Sequence, residues 1–166
     1  SSLKEGLIKI SFFVAYIYII SLMNDIKRVF QYHGAEHKSI FAYEKGLELT
    51  VDNVKKMPRL HPRCGTNFIF VVLMVSTFVF SFFTFENVLT RSILKLIFFP
   101  VVAGIAYEII KIAGKYQNPF TRVLILPGLL MQKITTREPD EKQIEVAIAA
   151  LQATLDKTDV VSPSPT

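Results

Sequence analysis

The chain has 166 residues, about one domain by length, yet 51% of them are hydrophobic and the mean hydropathy is +0.37, which is not the composition of an ordinary soluble domain. Its net charge of +5 is not arranged as a basic stripe interleaved with aromatics, which argues against a nucleic-acid partner. One cysteine excludes an internal disulfide and fits a reducing compartment.

The apolar residues come in blocks. The first, LIKISFFVAYIYIISLM, is broken only by Lys9 and predicts a membrane span over about 7–24. No proline interrupts residues 3–57, so this span is expected to run on as one helix into the stretch HGAEHK at 33–38. Phe30, His33/Gly34, His37, Ile40/Phe41 and Glu44 recur at three- and four-residue steps and mark one helical face. Gly46 is a helix stop, and Thr50 is an N-cap for a short helix VDNVKKM. MPRLHPRCGT, starting at Met57, holds two prolines and a glycine and reads as loop.

FIFVVLMVSTFVFSFFTF (68–85) carries no charged residue and predicts a second span. ILKLIFFPVVAGIAYEIIKIA (93–113) is a third, with Lys95, Glu108 and Lys111 inside it. YQNPFT (116–121) is read as a turn. VLILPGLLMQ (123–132), too short to cross and broken by Pro127-Gly128, is read as an interfacial or re-entrant piece. Thr135, Glu138, Asp140 and Glu141 then open a C-terminal helix with Pro139 expected at its first position. Its stripe Ile144, Ala147, Ile148 and Leu151 should dock on something, and residues 158–166 read as a disordered tail.

These elements predict an all-α, multi-span helical membrane protein: a membrane domain over 1–132, including a metal-site loop over 25–66, and a C-terminal helix over 133–157. A soluble helical bundle with unusually apolar helices is the alternative. Lys27, Arg28, Lys38, Lys45, Lys55, Lys56, Arg59 and Arg63 fall between the first two spans, whereas Arg91 and Lys95 are the basic residues between the other two. The positive-inside bias therefore puts the 25–66 loop and the C-terminus on the cytoplasmic side of the cell membrane. The chain opens on SSLKEG without an initiator methionine, and a further N-terminal part is expected.

HGAEHK and HPRCG (61–65) together contain every histidine and the cysteine of the chain. His33 and His37, four apart on a helix, can hold one ion from the same face. The order H-x-x-E-H is that of inverzincins, with Glu36 as a candidate base or alternate ligand. His61 and Cys64 have the spacing of a zinc knuckle in which His replaces the first cysteine. The expected cofactor is thus Zn2+, or another divalent metal, on His33, His37, His61 and Cys64, with Glu108 and Arg63 as candidate outer partners. Packing histidines and a small buried cysteine are the alternative. Gly34 would let another backbone approach the helix closely. Three ligands and an open position would make a hydrolase acting on a peptide or lipid-derived amide; four would make a closed structural site in a non-catalytic subunit. Membrane lipid, and a protein partner or second copy through the spans and the C-terminal helix, are the expected partners.

HGAEHK, RLHPRCGT, PVVAGIAYEIIK and PGLLMQKITTREPDEKQIEVAIAAL, in this order over about residues 5–155, resemble the YqhQ-like bacterial membrane proteins. The resemblance implies an integral protein of the cytoplasmic membrane and brings no established activity or catalytic residue. It also implies a preceding glycine-rich segment of the GGQAVMEGVMM kind, which does not occur in these residues. The metal expectation rests on side-chain chemistry alone.

Overall fold

In a computed structural model of the chain, described for residues 2–83, 87–116 and 119–161, there are seven helices and no strand. They are α1 (Ser2–Ile20), α2 (Asn24–Glu44), α3 (Val51–Lys55), α4 (Gly65–Ser81), α5 (Val88–Lys115), α6 (Pro119–Thr135) and α7 (Glu141–Val161). The all-helical expectation holds. The helices sort into two compact units, one of Ser1–Ile20 with Pro62–Ile134, the other of Ser21–His61 with Thr135–Thr166.

The first unit contains α1, α4, α5 and nearly all of α6. Its interior is small: Val71, Ala106 and Ile110 are buried together, with Phe68, Val72, Val75 and Ile109 packed around them. Its outside is apolar, with Phe12 74%, Phe78 65% and Leu96 76% exposed. Among the described residues α5 is the one helix long and apolar enough to cross a membrane by itself. Its 28 residues rise about 42 Å against a hydrocarbon core of about 30 Å. It starts earlier and ends later than the predicted 93–113 and passes through Pro100 unbroken. α4, at 17 residues, is apolar but shorter, and begins at Gly65 rather than 68. The end of its predicted span, 84–85, lies outside the described residues. At one end of this unit the Arg91 guanidinium donates to both carboxylate oxygens of Glu5.

The other unit is built on α2. The expected continuous helix does not form: α1 stops at Ile20 and α2 restarts at Asn24, so the first apolar helix ends four residues before the predicted limit of 24. Met23 takes an extended backbone (ψ 138°), and Asp25 then places a carboxylate in the first turn, where the free N–H groups favour it. The marker was polar, the pair Asn24-Asp25 after an apolar block, rather than a proline or glycine. α2 ends as expected at Gly46, whose φ of +66° suits a residue without Cβ. Gly46 N–H donates to Tyr43 O at 2.9 Å and Leu47 N–H to Ala42 O at 3.0 Å, the paired bonds of a Schellman end. Thr50 caps α3 through Asn53 N–H.

α7 packs on α2 and α3. Ile144, Ala147 and Ile148 bury their side chains against Ala35, Ala42 and Val54, so the predicted apolar stripe docks within the chain. Burying an isoleucine side chain contributes about 2 kcal/mol, and the alanines at 35 and 42 let the helices approach. Pro139 is not the first helical residue. Asp140 is the cap instead: its Oδ1 accepts from Gln143 N–H and its own N–H donates to Gln143 Oε1, both at 2.9 Å. Two further expectations change. Pro119 opens α6 within the stretch read as a turn, and α6 continues through Pro127-Gly128 without the expected break. At Gly128 the helix lies directly on Asn67 of α4, a contact that holds it in place.

Candidate metal centre

α2 presents two roughly opposite faces. Ala35, Ser39 and Ala42 are buried on the side that receives α7. His33, His37, Phe41 and Glu44, spaced by three and four residues, lie along the other side. A non-helical strap, residues 136–140, wraps from one face to the other. It can lie so close because residue 34 is glycine. A Cβ at Gly34 would overlap the carbonyl oxygen of Arg137. The same bare surface exposes the Phe30 carbonyl one turn below, which accepts from Arg137 N–H at 2.8 Å. The close backbone approach expected at Gly34 is thus made by the strap. Farther along, the buried Lys38 ammonium donates to Glu138 of the strap and, at 3.0 Å, to Lys55 O at the end of α3.

Thr135, which leads into the strap, and the 57–61 loop fix the two helical histidines. His33 Nδ1 lies 2.8 Å from Thr135 O and His37 Nδ1 2.5 Å from Arg59 O. A carbonyl oxygen only accepts, so both Nδ1 atoms carry a proton and donate it. His37 and His61 are buried, each 4% exposed. The His37 ring centre is 4.3 Å from that of His33 and 5.8 Å from that of His61. On His61, Nε2–H donates to Glu44 Oε2 at 3.3 Å, and Phe41 packs on the ring at 4.5 Å.

The structure therefore sets the rings of His33 and His37 side by side, with the His61 ring next to that of His37, in one unit. Glu36 is exposed, on the flank of α2 between buried Ala35 and buried His37. Cys64, three residues beyond His61, is buried at the N-cap of α4 in the other unit, its Sγ 3.0 Å from Thr66 Oγ1. Glu108 pairs with Lys111 on its own helix at 3.3 Å, and Arg63 lays its aliphatic stem over Gly114. Glu44 is the residue that sequence reasoning undervalued. It was visible as the position seven after His37 on the same face, where a carboxylate can orient a histidine. On the outside of the unit, the hydrogen bond between Lys55 and Glu141 (2.8 Å) raises the lysine pKa and lowers that of the carboxyl. Both groups are exposed, so the pair adds little stability.

A family model described as "Protein of unknown function (DUF1385)" matches residues 1–157. The chain is 42% identical over 152 residues to "Uncharacterized protein YqhQ" of Bacillus subtilis (strain 168), an alignment covering 91% of this chain and 48% of that protein. It spans about half the length of this relative. No solved structure matches.

Proposed function

The chain belongs to the DUF1385 family, and from that premise we propose that it is a multi-span protein of the cytoplasmic membrane that holds a divalent metal, zinc by ligand type, at its cytoplasmic face. One observation carries the metal reading: both helical histidines donate from Nδ1 to a backbone carbonyl, the support that metal-binding histidines characteristically have. A histidine kept for packing needs no such pair of rings, each fixed through Nδ1. The His61–Glu44 contact gives the third imidazole the carboxylate version of the same support.

The membrane reading is supported by the apolar exterior of α1, α4 and α5, which exceeds what a soluble domain leaves in water. α5 is the strongest span, with α1 and α4 as its shorter companions. The eight basic residues between the first and second proposed spans favour a cytoplasmic side for the histidine-bearing segment, by the positive-inside bias.

His33, His37 and His61 would leave the fourth position of a tetrahedral ion to water, the arrangement of a hydrolase. A metal there would supply a water acidified for attack, and Glu36 is the proposed base. The substrate class is a peptide or lipid-derived amide at the inner surface. The exposure of Glu36 favours a second reading, in which Cys64, placed by its sequence spacing from His61, is a fourth ligand and the metal staples the loop. Glu36→Gln tests the choice. The hydrolase reading expects zinc and thermal stability to be retained while amide hydrolysis falls about 100-fold or more. Unchanged function in the cell with the variant supports the structural site.

A further inference from the structure

We infer that the first unit carries a binding site for an anionic phospholipid, in a cleft between the start of α4 and the last two turns of α5. The cleft measures about 550 Å³. Its floor is apolar, made by Phe68 and by Ile110, which is buried. Its rim carries the basic residues Arg63, Lys111 and Lys115, and Glu108 beside it pairs with Lys111.

Several features assign this cleft to an anionic amphiphile rather than to a small neutral ligand. Gly114 has no Cβ, and an added one would come within 3.0 Å of Arg63 Cγ and Cδ. The glycine therefore lets the arginine stem lie flat on α5, with its guanidinium on the same rim as the two lysines. Tyr107 and Tyr116 stand beside the lysine ammonium groups, 5.8 Å and 5.4 Å from ring centre to Nζ. Lysines with tyrosines at the end of an apolar helix are the residues of a headgroup layer. In the proposed span α5, Lys111 and Lys115 come where the apolar run ends, so the rim lies at phosphate depth and the Phe68–Ile110 floor at the start of the acyl chains. A cation rim over an apolar floor matches a phosphate that carries hydrocarbon. Free phosphate would have no use for the floor.

The depth assignment rests on the membrane reading, so two separate readouts are needed. Alkaline extraction of membranes from expressing cells tests that reading directly: the full chain is expected in the pellet. Binding of soluble, short-chain phosphatidylglycerol to the detergent-purified chain tests the cleft by itself, whichever fraction holds the protein. Each cation removed near such a phosphate should weaken binding about fivefold. Lys111→Gln with Lys115→Gln is thus expected to weaken phosphatidylglycerol by more than about tenfold. The control pair Lys45→Gln with Lys56→Gln, exposed positions in the other unit, is expected to leave it unchanged. Short-chain phosphatidylcholine should bind more weakly than phosphatidylglycerol, and inorganic phosphate should not displace the lipid. Equal losses in both pairs would reduce the effect to general surface charge and overturn the site. Equal binding of phosphatidylcholine, or displacement by phosphate alone, would overturn the anionic-lipid assignment. A chain in the supernatant with intact, cleft-dependent lipid binding would overturn the membrane reading while keeping the site.

Discussion

Replacing Gly34 with alanine is expected to loosen the strap from α2 and to destabilise the histidine-bearing unit by about 3 kcal/mol. The added methyl meets backbone, the Arg137 carbonyl oxygen, with the carbonyl carbon 3.3 Å away, so no side-chain rotation relieves it. Moving the strap breaks the 2.8 Å bond from Arg137 N–H to Phe30 O. It also draws the Thr135 carbonyl from His33 Nδ1, and loss of such a support typically lowers metal affinity about 10- to 100-fold. Amide exchange at Arg137, thermal melting and zinc titration read the three consequences. Gly104→Ala is the control, because a Cβ there meets open space and alanine is the better helix former. A Gly34→Ala chain as stable as Gly104→Ala, with the Arg137 amide equally protected, would contradict the strap geometry.

The counterpart in the first unit is Gly128. A Cβ there would overlap the Asn67 amide and come within 3.1 Å of the Asn67 backbone. Asn67 is fully buried, and its Nδ2 donates to Pro62 O at 2.6 Å. It has nowhere to turn without giving up that bond, and a buried amide without its partner costs about 1–3 kcal/mol. Gly128→Ala is therefore expected to lower stability in detergent by about 2–3 kcal/mol. Asn67→Ala on that background removes the colliding amide, while the main chain of residue 67 stays close to the new methyl. The double variant should therefore recover part of the loss, a coupling of about 1 kcal/mol. Strict additivity of the two substitutions would show that the residues do not touch.

The all-helical character was legible because apolar blocks of helical length, the stop signal Gly46 and the start signal Thr50 act locally. The docking stripe of α7 was legible for the same reason, through the spacing of Ile144, Ala147 and Ile148. What the sequence hid were breaks and continuities decided by packing. The break before Asn24 has neither proline nor glycine to announce it, and α6 runs through Pro127 with its Gly128 surface laid on Asn67. At the candidate site, the helical spacing of His33 and His37 was visible and the close approach at Gly34 followed from its missing Cβ. The carbonyl partners that orient the His33 and His37 rings could not be read, because Thr135 and Arg59 lie 102 and 22 residues away in the chain.

Metal content bears most directly on the central claim. The chain, purified without a polyhistidine tag, is expected to contain about one zinc per molecule by elemental mass spectrometry, as a single tetrahedral site requires. His33→Ala and His61→Ala should each lose it while remaining folded, if the two rings, from α2 and the loop, serve one ion as proposed. No metal above background in a folded sample, or zinc retained in both variants, would contradict the account and leave HGAEHK as a packing helix under its strap.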